Sequence, residues 1–271
     1  MLLSRSIVSF LAILTACVGG LSAEEGAAFH PRLFAFQNGV SFGSLDDEAQ
    51  ALKKLGYDGI GSLSTRNLDK RIAAYEAVGL RVFSIYVSLG DPSIPKAIEQ
   101  LKGRKATVEL TVRRKMDVST VAAIQKLADL AAKADVRIAL YPHAGFAIAK
   151  IDPALELIEK VDRQNVGVMF NLCHFLMNEK HQDLEATIGR AGSKIFAAST
   201  CGADREGRSW SVLIRPLDEG DFKQARLFAA LKKINFRGAV GLQCYAVKGD
   251  KKSNLQRSIK AWQQILAEAN E

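Results

Sequence analysis

His143 and His174 stand just past the ends of two successive apolar runs, VRIALYP (Val136 to Pro142) and VGVMFN (Val166 to Asn171), and the chain holds 4 histidines in all. Imidazoles in such positions can act as general acid and base near neutral pH without a metal ion. The alternative for each is a hydrogen-bonded loop residue. These and the other apolar runs carry hydrogen-bonding groups at their ends: Gln37 and Asn38, Ser62 and Ser64, Ser84, Tyr141, Asn171, Ser199 and Gln243. Such a set suits a polyhydroxylated ligand. Glu109, inside the run ATVELTV, is the candidate catalytic carboxylate. The sequence leaves two orientations open for it, toward the other polar groups or toward a helix and an arginine. Trp210 could offer an aromatic face to a sugar ring or simply pack. Asp204, Arg205 and Lys248 fall in late loops, as ligand contacts or as solvated charges.

These residues need elements to position them, and the chain supplies a regular alternation. Apolar runs at Leu33–Phe36, Tyr57–Ser64, Leu80–Leu89, Ala106–Val112, Val136–Pro142, Val166–Asn171, Lys194–Thr200 and Gly238–Tyr245 read as strands. Between and after them lie helical patterns such as SLDDEAQALKKL, with a serine cap, an acidic first turn and lysines in the last. VGVMF is almost continuously apolar, as a parallel strand covered on both faces must be. Strands alternating with helices at intervals of roughly 25 to 40 residues predict a single-domain (β/α)8 TIM barrel. In such a barrel, chemistry collects at the carboxyl ends of the strands, where the polar groups stand. An open doubly wound sheet is the competing architecture, but no glycine-rich dinucleotide fingerprint and no GxxxxGK[ST] loop occurs.

Residues 1–23 read as a signal segment, with Arg5, an apolar stretch from Ile7 to Val18, and Ala23 before Glu24. A competing reading makes Cys17 a lipid-attachment site. Either way the protein is expected to be exported, periplasmic or secreted, with the barrel over 29–271 and no membrane span. The formal charge is +8, yet the basic residues are scattered among Asp and Glu without a basic stripe or arm, so no nucleic-acid partner is expected. Cys173, Cys201 and Cys244 are too few for a disulfide scaffold and read as small buried hydrophobes. A soft metal or a disulfide at Cys173 and Cys201, beside His174, is the minor alternative.

Essentially all of the chain after the signal segment, most specifically its second half, resembles the xylose isomerase-like TIM barrels, the sugar phosphate isomerase/epimerase group. The resemblance rests on LYPHAGF (Leu140 to Phe146), NVGVMFNLCHF (Asn165 to Phe175) and RPLDEGDFKQARLFAALKKINFRGAVGLQC (Arg215 to Cys244). It implies a sugar isomerase or epimerase whose divalent metal, such as Mn or Mg, is held by Glu, Asp, His and Glu on strands five to eight. At those positions this chain has Tyr141, Asn171, Ser199 and Gln243, with His174 retained three residues after Asn171. All four replacements are neutral, so no metal and no other cofactor is expected. The expected function is isomerisation, epimerisation or elimination of a sugar or sugar derivative by proton transfer. His143, His174 and Glu109 are the catalytic candidates, and Tyr141, Asn171, Ser199, Gln243, Trp210 and Lys248 are the substrate-binding ones. A non-catalytic carbohydrate-binding barrel is the alternative, and a homo-oligomer is left open.

Overall fold

The computed structural model describes residues 29–114 and 116–271; the expected signal segment and Cys17 lie outside the described residues. Nine strand segments, all parallel, make the sheet: β1 (Leu33–Phe36), β2 (Gly59–Gly61), β3 (Arg81–Val82), β4 (Ser84–Ser88), β5 (Thr107–Thr111), β6 (Arg137–Leu140), β7 (Val166–Asn171), β8 (Ile195–Thr200) and β9 (Val240–Leu242). Their order is β3-β2-β1-β9-β8-β7-β6-β5-β4. β3 and β4 are one barrel strand broken at Phe83, so the expected eight positions are present with the third in two pieces. The ring closes there through the parallel bridge of Leu63 to Ile85 and the bond from the Tyr86 N–H to the Leu63 carbonyl, 2.9 Å.

The break has a packing cause. Phe83 joins the aromatic cluster inside the barrel, and the next residue, Ser84, also turns inward to Glu109. Consecutive inward side chains are incompatible with strand alternation, so the strand must kink between them. The barrel interior is filled by Phe34, Phe36, Ala139, Tyr141, Met169 and Ala197. Gly61 and Gly241 make room for the two phenylalanines: a Cβ on Gly61 would lie 2.2 Å from the Phe34 ring, and one on Gly241 2.1 Å from that of Phe36. A larger apolar layer between sheet and helices contains the outward-facing Val, Ile and Leu of the strands.

The surrounding helices include α1 (Leu45–Leu55), α2 (Leu68–Ala77), α3 (Ile94–Gln100), α4 (Val118–Lys133), α5 (Ile151–Val161), α6 (Leu172–Asn178), α7 (Leu184–Ala191), α8 (Trp210–Leu213), α9 (Gln224–Lys233) and α10 (Lys251–Asn270). Reciprocal capping boxes start α1, at Ser44 and Asp47, and α4, at Asp117 and Thr120. α6 follows β7 without a loop, because Asn171 ends the strand and caps the helix at once. Among the described residues, no helix is long and apolar enough to cross a membrane.

Candidate active site

At the carboxyl ends of the strands lies a cavity of about 590 Å³. Its wall includes Tyr86, Tyr141, His143, His174, Trp210 and Gln243, with Gln37, Asn38, Ser62, Ser64, Arg113, Phe146 and Tyr245. None of its lining residues is an Asp or Glu. A larger cavity, about 920 Å³, opens at the opposite end of the barrel; barrel chemistry belongs to the carboxyl ends, and so do His143 and His174.

The two imidazoles lie face to face at a centroid distance of 4.1 Å, tilted by 40°. His143 is also stacked on Phe146, 4.1 Å away, over whose other contacts Arg113 places its guanidinium carbon 4.6 Å from the ring centre. His174 meets the edges of Tyr141 at 5.6 Å and Trp210 at 5.0 Å. One backbone residue fixes both tautomers. The Ala144 carbonyl is 2.8 Å from His143 Nδ1, which must therefore carry hydrogen. The Ala144 N–H donates to His174 Nδ1 at 3.1 Å, which must therefore be bare. In the neutral rings, His143 presents a lone pair at Nε2 and His174 presents an N–H at Nε2.

Both rings are held neutral. Burial pushes His174 down to about 3, helped by His143. Burial also lowers His143, and Arg113 adds to the shift while the Ala144 carbonyl opposes it. Burial raises the Tyr141 phenol well above its ordinary value, so it stays a proton donor. Its oxygen accepts from Asn171 Nδ2, which leaves the phenolic hydrogen free for another acceptor. Gln243 is folded the other way: its Oε1 accepts from Asn38 Nδ2 at 2.6 Å and from the N–H groups of Cys244 and Tyr245, both at 3.0 Å. Three donors on one oxygen fix the amide and leave Nε2 as its free, donating end.

Three of the candidates lie beneath the cavity rather than in its wall. Asn171 Oδ1 accepts from the Cys173 thiol at 2.9 Å and from the His174 N–H, so its role here is to hold Tyr141 and α6. Ser199 is fully buried and its Oγ has no partner. Glu109 faces inward, one of the two orientations open in the sequence, but it too is fully buried. Its Oε1 accepts from Ser84 Oγ at 2.5 Å and its Oε2 has no partner. Burial pushes its carboxyl up to about 7, against the opposing hydrogen bond of Ser84. Lys248 lies outside the cavity, exposed in the turn before α10, where its carbonyl accepts from Asn254. Asp204 and Arg205 are paired with Arg215 and Asp221.

The four positions at which the family resemblance places metal ligands do not fit a hard divalent cation. All are neutral; the carbonyl oxygens of Asn171 and Gln243 are spent on protein donors. Among the described residues, no group of three or more His, Cys, Asp or Glu could hold a metal ion, which covers Cys173 and Cys201 as well. Both of those thiols are free and buried.

The sequence missed Tyr86, Arg113, Phe146 and Tyr245. Arg113 was recoverable, since it continues the alternation of Glu109 and Thr111 on the inner face of β5. Tyr86 was hidden by the kink at Phe83, and nothing in the sequence points to Phe146 or Tyr245.

An eight-position parallel barrel with its polar cavity at the carboxyl ends defines a (β/α)8 barrel protein. The chain belongs to the xylose isomerase-like TIM barrel family, whose model matches residues 64–265. No curated protein matches it. Among solved structures it is similar to 3-keto-D-glucoside 4-epimerase, YcjR, from E. coli, at 15% identity and a TM-score of 0.70 over 87% of this chain and 99% of that one. It is also similar to D-allulose 3-epimerase from Methylomonas sp., at 17% identity and 0.68 over 88% and 100%. A third is the IOLI protein with a bound zinc atom, at 19% identity and 0.68 over 87% and 98%.

Proposed function

We propose that the protein is an exported sugar isomerase or epimerase that moves a proton beside a carbonyl group without a divalent metal. The observation that carries this is the pair of opposed tautomers at the cavity: one imidazole offering a lone pair, the other offering a hydrogen. In the proposed step His143 Nε2 takes the C–H proton next to a ketone, and the electron pair of that bond moves to the carbonyl oxygen. Tyr141 O–H, His174 Nε2–H and Gln243 Nε2–H are donors available to the resulting oxyanion, and the charge of Arg113 favours it. His143 then returns the proton to the same carbon from the other face of a re-oriented enediol, or to its neighbour. The aromatic wall of Tyr86, Trp210 and Tyr245 suits the apolar face of a sugar ring. Two of the similar structures are named as epimerases of sugars, one of them at the carbon beside a ketone.

A second reading is favoured by one feature: among the described residues no carboxylate lines the cavity, and Glu109 is sealed beneath it. A barrel that binds sugars without turning them over would look like this. Protein dialysed against EDTA and incubated in D2O with a panel of ketoses and 3-keto-glycosides separates the two. The proposed function expects deuterium at the carbon beside the ketone, at a rate unchanged by EDTA. Binding without exchange supports the second reading, and exchange only after Mn²⁺ or Zn²⁺ is restored removes the metal-free mechanism.

A further inference from the structure

The cavity at the amino ends of the strands, about 920 Å³, is walled by Arg32, Arg81, Lys105, Arg137, Lys232 and Arg237, and among its lining residues the acid is Asp135. Elsewhere on the surface arginines sit on carboxylates, as Arg104 on Glu76, Arg163 on Asp129 and Arg226 on Glu185. Among the described residues none of these six cations makes such an ion pair. Three are instead held by backbone carbonyls: Arg81 by Arg104 at 3.1 Å, Arg137 by Phe196 at 3.4 Å and Lys232 by Ala269 at 3.4 Å. A carbonyl orients a cation without cancelling its charge.

The floor adds geometry. The Arg81 guanidinium lies over Phe83 at 5.1 Å and that of Arg137 over Phe196 at 4.8 Å, so two planar forks are propped on aromatic rings around the concavity. Clustered like charges cost folding free energy unless a counter-charge arrives, and fixed guanidinium forks match the oxygens of carboxylate and phosphate groups. We infer that this amino-end pit is a binding site for a small multivalent oxyanion, one carrying two or more carboxylate or phosphate groups. It stands apart from the chemistry proposed at the other end of the barrel.

The test is calorimetric titration of the full chain at constant ionic strength, with citrate in one arm and inorganic pyrophosphate in the other. Saturable binding of at least one is expected, stronger for the group chemistry that the pit prefers. Affinity should fall about tenfold for each arginine removed in Arg81→Gln with Arg137→Gln. Arg66→Gln with Lys70→Gln, the same charge change at the opposite end, should leave it unaltered. If the first pair fails to fold, Lys105→Gln with Arg237→Gln removes two charges whose side chains make no hydrogen bond or ion pair among the described residues, and the same loss is expected. Absence of saturable binding to either anion overturns the inference. So does an equal loss in the Arg66 and Lys70 control, which would mean attraction by net charge alone.

Discussion

At 4.1 Å, two imidazoles repel as soon as both are charged, and the rings of His143 and His174 have no carboxylate beside them to soften this. Their shared partner, Ala144, therefore does what a buried acid does in many enzymes: it sets which nitrogen holds hydrogen. The consequence for pH is one-sided. His143 works deprotonated and its pKa is lowered from 6.5, so kcat/KM should be flat from pH 7 to 8.5 and fall on the acid side below 6.5. His143→Gln should lower kcat by about 10²–10⁴-fold, the usual range for losing a general base. An alkaline limb near pH 7 would instead implicate the protonated carboxyl of Glu109. That carboxyl makes its own prediction. Its pKa is raised from 4.5 to about 7, so folding binds its proton more tightly and the native state loses stability as pH rises through that window. Glu109→Gln keeps the shape and the Ser84 contact but cannot ionise. Urea unfolding should show its stability relative to the parent improving by up to roughly 3 kcal/mol between pH 5 and 8.5. A difference that does not vary with pH would mean that Glu109 is not buried in its neutral form.

Among the elements, α6 carries the most consequence for the site. It starts directly from β7, and Asn171 serves both: its Oδ1 caps the helix that carries His174, and its Nδ2 holds the Tyr141 hydroxyl. Asn171→Ala should therefore cost about 2–3 kcal/mol, a lost helix cap plus a lost buried hydrogen bond, measured by chemical denaturation. It should also loosen both donors on that side of the cavity. A loss under ~0.5 kcal/mol would show that the cap is dispensable. The sequence shows only polar groups at the end of this strand and no helix before DLEATIGRA, because the helix has no loop before it. The barrel itself was legible, since nearly continuous apolar runs alternating with capped helices state their identity locally. So were His143 and His174 at their strand ends. What failed was parity. One kink at Phe83 placed both Ser84 and Tyr86 on the inner face. Depth failed as well: Glu109, Asn171 and Ser199 have the right direction but lie a layer too low. Neither quantity can be read from residue types alone, because both depend on how the closed ring is filled.

For the whole molecule, the filling of that ring divides the barrel into two independent ends. Phe34 and Phe36, seated in the space that Gly61 and Gly241 leave, form a solid plug, with an aromatic cavity that has Arg113 but no Asp or Glu among its lining residues above and a cationic pit below. The chain has 2 tryptophans, one in the wall of the upper cavity and one lining neither the cavity nor the pit. Trp262 is buried in the helical layer against Phe228, 5.0 Å away, whereas Trp210 stands in the cavity wall with its edge on His174. An indole in the cavity wall, packed against an imidazole, makes a built-in optical reporter. Adding a cavity ligand should change the emission of Trp210 while Trp262 supplies a constant background, and Trp210→Phe should abolish the response. The protein thereby carries the means of finding its own substrate: any sugar can be screened unlabelled, by light alone, before its chemistry is known.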